Sequence, residues 1–525
     1  MSNATEMAKI SAKGGFHLLW GLVLSTVISA VGTIVIAILL GADNYGLYTI
    51  AIAAPNLIAA FRDWGITNAM IKYTAQYNCE GAHAKVKSIF YSGLIFELLL
   101  GSILSVTSFL LSGFLASTFS RPEITSLIQI ASFSVLTHAL ISLATATFTG
   151  MERMHLNSVM LTIQALVKTG LIIVFVLLGA GNVGAVGGFM FGTLVAGVIG
   201  LVFAWTMLRS YGGVNSKLEI FGTVKFLLRY GFPLSIGTIL TVLLTQFYTY
   251  AMAIYVIDNS AIGNYSVASN FVVLITFFVT PVATMLFPAF SKIDYRKDAG
   301  TLQSVFQYSV KYSSLVVVPV TALIMVLSKP AIKTIFANGY NQAPLFLALS
   351  SILYLYCAFG SLSIPNLING QGHTTYNLKL TVLTVVIGFL AGFLFISQLG
   401  LIGLIITSLI AGLPSLIISL FFIKKQYGLS LDWYFSIKIF FSTGIAAFFT
   451  FLFISNLRFA SAINLFFGIL VFIFLLLPML ILSRAVNRVD LANLKEIANA
   501  LGPLKKMLGW MITILEKLMS ILKIN

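Results

Sequence analysis

Apolar residues in this chain come in blocks of about twenty, separated by short polar stretches. Twenty residues of α-helix, at 1.5 Å rise each, cover the roughly 30 Å of a bilayer's hydrocarbon core. Lipid offers no hydrogen-bond partners, so each block must satisfy its backbone N–H and C=O groups within its own helix. Composition agrees. Of 525 residues, 59% are hydrophobic and 9% charged, where a soluble domain carries roughly a quarter charged residues. So few charges do not cover a water-facing surface.

The blocks read as spans near 16–40, 45–69, 88–111, 124–148, 157–178, 184–208, 226–250, 262–287, 305–328, 343–367, 376–397, 400–423, 435–455 and 462–483. Pro55, Pro281, Pro319 and Pro365 fall inside blocks and predict kinks, because neighbouring helices satisfy the freed carbonyl. The net charge of +16 points to topology, not to nucleic acid. With both termini in the cytosol, all of the 31 Lys and Arg except Arg121, Lys329, Lys333 and Arg458 fall in cytosolic loops or adjoining helix segments. That asymmetry is the positive-inside rule. The first block, from Phe16 to Leu40, is too long for a signal-peptide core, and Cys79 and Cys357 are separated by topology, so no disulfide is expected.

The sequence repeats. Gly46 and Gly263, each in a short Gly/Tyr-bearing stretch after the first and seventh blocks, are 217 residues apart; Gly150 matches Gly370 at 220, and Gly184 matches Gly400 at 216. A six-span unit is even, so its two copies share orientation about an axis along the membrane normal. The expected fold is an all-α polytopic membrane protein of about fourteen transmembrane helices. Residues 1–215 and 216–430 form two parallel six-helix bundles, 431–485 carry helices 13 and 14, and 486–525 form a cytosolic tail. In the tail, Leu491, Leu494, Ile497 and Leu501, then Leu504, Leu508, Met511, Leu515, Leu518 and Leu522, keep helical spacing beside lysines. That pattern describes amphipathic helices on the inner leaflet, with Trp510 as interfacial anchor.

No nucleotide-binding loop, metal-ligand spacing or nucleophile elbow appears. Neither metal nor cofactor is expected, and the chain reads as a transporter, not an enzyme. Ionisable residues inside spans are costly and therefore candidate sites. Lys168 lies about eleven residues into span five, with Gln164 one turn away. Glu97 sits among leucines in span three, as a coupling group or a paired structural one, with Lys168 a candidate partner. Arg62 and Asp63 close span two, as a local pair or a substrate contact. His138 heads a polar stripe with Ser134, Ser142, Thr145 and Thr149, lining a wet lumen or bonding between helices. Arg229 and Lys311 lie near inner helix ends, as cavity cations or as topological anchors.

Gly46-Leu47-Tyr48, Asp63-Trp64-Gly65-Ile66, and Asn369-Gly370 followed by His373, set in fourteen spans with a six-span repeat, resemble the polysaccharide (O-antigen type) flippases. These belong to the multidrug/oligosaccharidyl-lipid/polysaccharide exporter superfamily. The resemblance covers residues 10–485. It implies a cell-membrane transporter that moves a polyprenyl-linked oligosaccharide from the cytosolic to the external leaflet by alternating access, for surface polysaccharide or glycoprotein assembly. Its partners would be that substrate, membrane lipids and glycan-assembly enzymes. Lys168, Gln164, His138, Arg62, Arg229 and Lys311 would line the substrate cavity, with Glu97 and Asp63 in ion coupling. The alternative is a cation-coupled multidrug or metabolite exporter of the same superfamily, carried by Glu97.

Overall fold

The computed structural model describes residues 2–209, 211, 219–337, 339–457, 459–488, 490–491, 516–517 and 519. Most of the tail 492–525, including Trp510 and all of its periodic leucines, lies outside the described residues. The described chain is helical, with no strand. In order the helices are α1 (Ser2–Ala59), α2 (Ile66–Cys79), α3 (His83–Leu110), α4 (Ser112–Thr118), α5 (Thr125–Ser132), α6 (Ser134–Gly150), α7 (Met154–Phe175), α8 (Gly181–Arg209) and α9 (Ile220–Tyr255). There follow α10 (Asn259–Ser291), α11 (Ala299–Val326), α12 (Ser328–Phe336), α13 (Ala343–Ser351), α14 (Ser363–Gly370), α15 (Thr374–Tyr427), α16 (Trp433–Asn456) and α17 (Ser461–Leu482).

Ten described helical stretches are long and apolar enough to cross a membrane, or eleven if the pair Ala343–Phe359 and Ser363–Gly370, bent by 47°, is one span. The protein is a multi-pass membrane protein. Three of the stretches are interrupted at glycine: α1 at Gly41, the 154–209 stretch at Gly179 and Gly181, and α15 at Gly400. A count of fourteen is reached only by dividing all three and also counting the bent pair as one span. The bend near Pro365 is set not by that proline but by Gly360, at φ 86°, where a short 3₁₀ stretch ends.

The internal repeat is written in local geometry. Gly181 (φ 52°, ψ −134°) and Gly400 (φ 56°, ψ −128°) break their helices with nearly the same backbone, one that strongly favours glycine. The structural match to Gly400 is therefore Gly181, three residues before the Gly184 matched from the sequence. Likewise α6 ends at Gly150 and α14 at Gly370, each followed two residues on by a positive φ, at Glu152 and at Gly372.

The described residues gather into two compact units, one of Met1–Asn270 with Thr381–Ala411, the other of Phe271–Leu380 with Gly412–Asn525. In the first, α2, α3, α6, α7 and α8 share a core that includes Met70, Ile89, Leu143, Phe148, Met160 and Ala196. In the second, Phe290, Phe306 and Leu367 centre one cluster, and Ile439, Phe472 and Ile481 another. Many large apolar side chains are exposed, Leu110, Leu178, Leu390, Phe421 and Phe474 among them, as a hydrocarbon-facing surface requires. Helix contacts rely on small residues. Glycines let α1 approach Ser158 and Thr169 of α7, and Thr137 of α6 hydrogen-bonds Thr193 of α8 at 2.8 Å.

Candidate functional site

The second span was expected to run to residue 69. It stops at Ala59, and the chain turns through Trp64 (φ 45°) and Gly65 (φ 81°) before α2 begins. Asp63 drives the restart. Its Oδ1 accepts from the backbone N–H of Thr67 at 2.9 Å and from the Thr67 hydroxyl at 2.6 Å, satisfying a donor of the first helical turn. Asp63 is thus a helix cap and does not pair with Arg62.

Arg62 turns instead toward α3 and α6. Its Nη1 donates to Glu97 Oε2 at 2.5 Å and its Nη2 to Ser142 Oγ at 2.9 Å. Both partners are withdrawn from solvent, with side-chain exposures of 11% for Arg62 and 2% for Glu97. The expectation that Lys168 partners Glu97 is corrected: the turn after α1 delivers a guanidinium to the carboxylate, which a planar fork suits better than an ammonium does. One atom on each side of the pair, Arg62 Nε and Glu97 Oε1, is buried without a hydrogen-bond partner.

Lys168 lies half-buried on α7, its ammonium 5.9 Å from the centre of the Phe189 ring on α8. Gly192, one turn from Phe189, brings the α8 backbone against Lys168: a Cβ there would run into the Lys168 Cα. Among the described residues Lys168 forms no ion pair. Gln164 is half-buried one turn earlier on α7. His138 stacks obliquely on the other contact of Phe189, with ring centres 6.0 Å apart. Both Arg62 and Lys168 lie close enough to act on it electrostatically. In its stripe, Ser142 serves Arg62, while Thr145 and Thr149 bond the backbone one turn back, Thr149 also accepting from Asn157 at 3.1 Å.

In the first unit Arg62 thus pairs with Glu97 and Ser142, and Lys168 and His138 both lie against Phe189 of α8. Arg229 is exposed on α9. Lys311 belongs to the second unit, where its ammonium is 2.7 Å from Asp490 Oδ2, and Tyr312 donates to the other oxygen at 3.3 Å. Sequence reasoning missed Asp490 and Phe189. Phe189 carries no polarity to single it out, and Asp490 lies beyond the last apolar block.

The sequence matches the model of the polysaccharide biosynthesis protein family over residues 11–294, more than half of the chain. The chain belongs to that family. The polysaccharide biosynthesis family assignment agrees with the resemblance carried by the Gly46, Asp63 and Asn369 motifs. A curated relative, the lipopolysaccharide biosynthesis protein WzxC of Escherichia coli (strain K12), is 23% identical over 356 residues. The match takes in 65% of this chain and spans 66% of that relative's length. Among solved structures, this member of the family is similar to the lipid II flippase MurJ in an inward closed conformation. The TM-score is 0.69 at 18% identity, covering 87% of this chain and 96% of the other. It is also similar to an inward-facing MATE-family multidrug resistance transporter of the MOP superfamily, with TM-score 0.56 at 17% identity, covering 78% and 98%. These likenesses establish the fold.

Proposed function

We propose that this protein is a transporter that flips a lipid-linked oligosaccharide from the cytosolic to the external leaflet of the cell membrane by alternating access. In this reading two parallel six-helix bundles, 1–215 and 216–430, do the work, and both termini face the cytosol. Membership of a polysaccharide biosynthesis family supports it, as do relatives titled for lipopolysaccharide biosynthesis and lipid II flipping.

The observation that carries it is Lys168. A lysine deep in a membrane-length helix that forms no ion pair among the described residues is costly there. A ligand phosphate would compensate it by a charge-assisted hydrogen bond. Arg62 adds a second cation that can exchange Glu97 for the ligand, and His138 and Gln164 add polar contacts to the sugar. Arg229 and Lys311 would attract the headgroup nearer the cytosolic mouth. The polyprenyl tail stays in the bilayer, where the exposed apolar helix faces meet it, and glycan-assembly enzymes would deliver and take up the headgroup.

Lys168→Ala should abolish surface glycan when the gene complements a flippase-deficient strain, at normal protein level and topology, and Lys168→Arg should retain part of it. Full glycan in the Lys168→Ala strain would remove the charge role. A second reading, cation-coupled export of a drug or metabolite, draws on the unbonded Oε1 of Glu97. It predicts that Glu97→Gln destroys efflux and spares glycan.

A further inference from the structure

Arg121 reads in sequence as one of four basic residues stranded on the external side. In the structure its side chain is 4% exposed and every donor is engaged. Ser120, at φ 55°, turns the chain after α4, and Pro122 opens the next turn, which fixes where Arg121 points. Its Nη1 donates to the carbonyls of Phe119 at 2.8 Å and Ala253 at 2.7 Å; its Nη2 donates to those of Val256 at 2.7 Å and Ile257 at 2.9 Å. Its Nε donates to Asn259 Oδ1 at 2.5 Å. Of these acceptors Ala253 is a carbonyl of the last turn of α9, where the helix dipole also favours a cation, and Val256 and Ile257 follow directly after the helix.

The same place holds a reciprocal backbone contact. A Cβ on Gly46 would run into the carbonyl oxygen of Asn259, and a Cβ on Gly263 into that of Ala42. Asn259 and Gly263 are the residues 217 positions beyond Ala42 and Gly46, the offset of the internal repeat. Each contact is thus the image of the other, shifted by the repeat: α1 just past its break and the start of α10 meet backbone to backbone. Beside it Asn270 of α10 donates to the Tyr45 hydroxyl of α1 at 3.1 Å. Arg121 ties the turn after α4 to Asn259 on the α10 side of this crossing, and it has no counterpart, since the matching stretch 328–342 of the second repeat contains no arginine.

We propose that Arg121 is a releasable latch, holding the turn after α4 on the α9–α10 connection beside this crossing, on the external face, and letting go once per transport cycle. The external placement and the cycle rest on the flippase reading above; the latch itself rests on the geometry alone. Ala253 of α9, 1% exposed and an acceptor of Arg121, serves as reporter. In a background carrying Cys79→Ser and Cys357→Ser, Ala253→Cys is labelled with a membrane-impermeant maleimide in intact cells and in inverted vesicles. With Arg121 present, labelling should be slow from both faces. Arg121→Ala should raise the rate from outside by about tenfold or more, the factor expected from loss of one hydrogen bond to a charged group. Arg121→Lys should fall between, and Asn259→Ala, which removes one acceptor, should give a smaller rise. Faster labelling only in inverted vesicles would keep the latch and overturn the external placement. Unchanged labelling from both faces in Arg121→Ala would overturn the latch; were that variant not to accumulate, unchanged labelling in Asn259→Ala would do so.

Discussion

Arg62 shows what one residue contributes. Between spans a basic residue is ordinarily a topological anchor, yet this one leaves the turn to neutralise a carboxylate among leucines. Removing one member of a buried pair strands the other charge, which costs about 3–5 kcal/mol, whereas an apolar double replacement is often near neutral. Arg62→Ala should therefore lower the melting temperature in detergent sharply, and Arg62→Leu with Glu97→Leu should recover most of it. If the pair also yields Arg62 to the substrate, the double variant stays folded and loses glycan transport. A double variant that transports normally would leave the pair a purely structural device.

At the scale of elements, helix starts and close crossings carry the argument. Asp298 begins α11 by accepting from the N–H of Thr301 at 2.9 Å. Bonds from the Thr301 hydroxyl and N–H hold its carboxyl below the usual carboxylate range. The folded value lies under the unfolded one, so the cap contributes in full above the ordinary carboxylate range and fades as pH falls through the lowered value. Protection of the Thr301 and Leu302 amides, relative to their intrinsic exchange rates at each pH, should fall on acidification in the wild type and already be low at neutral pH in Asp298→Ala. The crossing of α7 and α8 is equally specific. Gly192→Leu should push the α8 backbone off Lys168 and weaken transport even though Lys168 itself is untouched, and normal transport in that variant would uncouple the crossing from the site.

For the whole molecule, the last apolar helix is followed by a segment that returns to the second unit. Asn487 and Asp490 hydrogen-bond each other's backbone N–H groups at 2.9 and 2.8 Å, and Asp490, with a side-chain exposure of 2%, holds Lys311. Asp490→Ala should destabilise the protein by roughly 3–5 kcal/mol through the stranded ammonium. Lys311→Met with Asp490→Leu should be close to wild type. A double-mutant cycle on thermal stability measures the coupling, and additive effects would show that the pair does not hold the segment.

Lipid makes much of this fold legible in sequence. A block of twenty apolar residues has no option but a helix, loop lysines and arginines report topology, and the spacing from Gly46 to Gly263 and from Gly150 to Gly370 reports the repeat. Those signals are local or periodic, so the chain alone determined an all-helical membrane protein with a duplicated plan, and its family motifs pointed to the right family. Partner choice is neither local nor periodic. That Arg62 meets Glu97, that Asp63 caps α2, that Lys311 is held by a residue 179 positions away and that Arg121 closes the end of α9 depends on which helix faces and turns pack together. Only the tertiary structure decided these, because a charged side chain takes whichever counter-group the packed backbone presents within about 3 Å, and sequence separation leaves no trace of that distance.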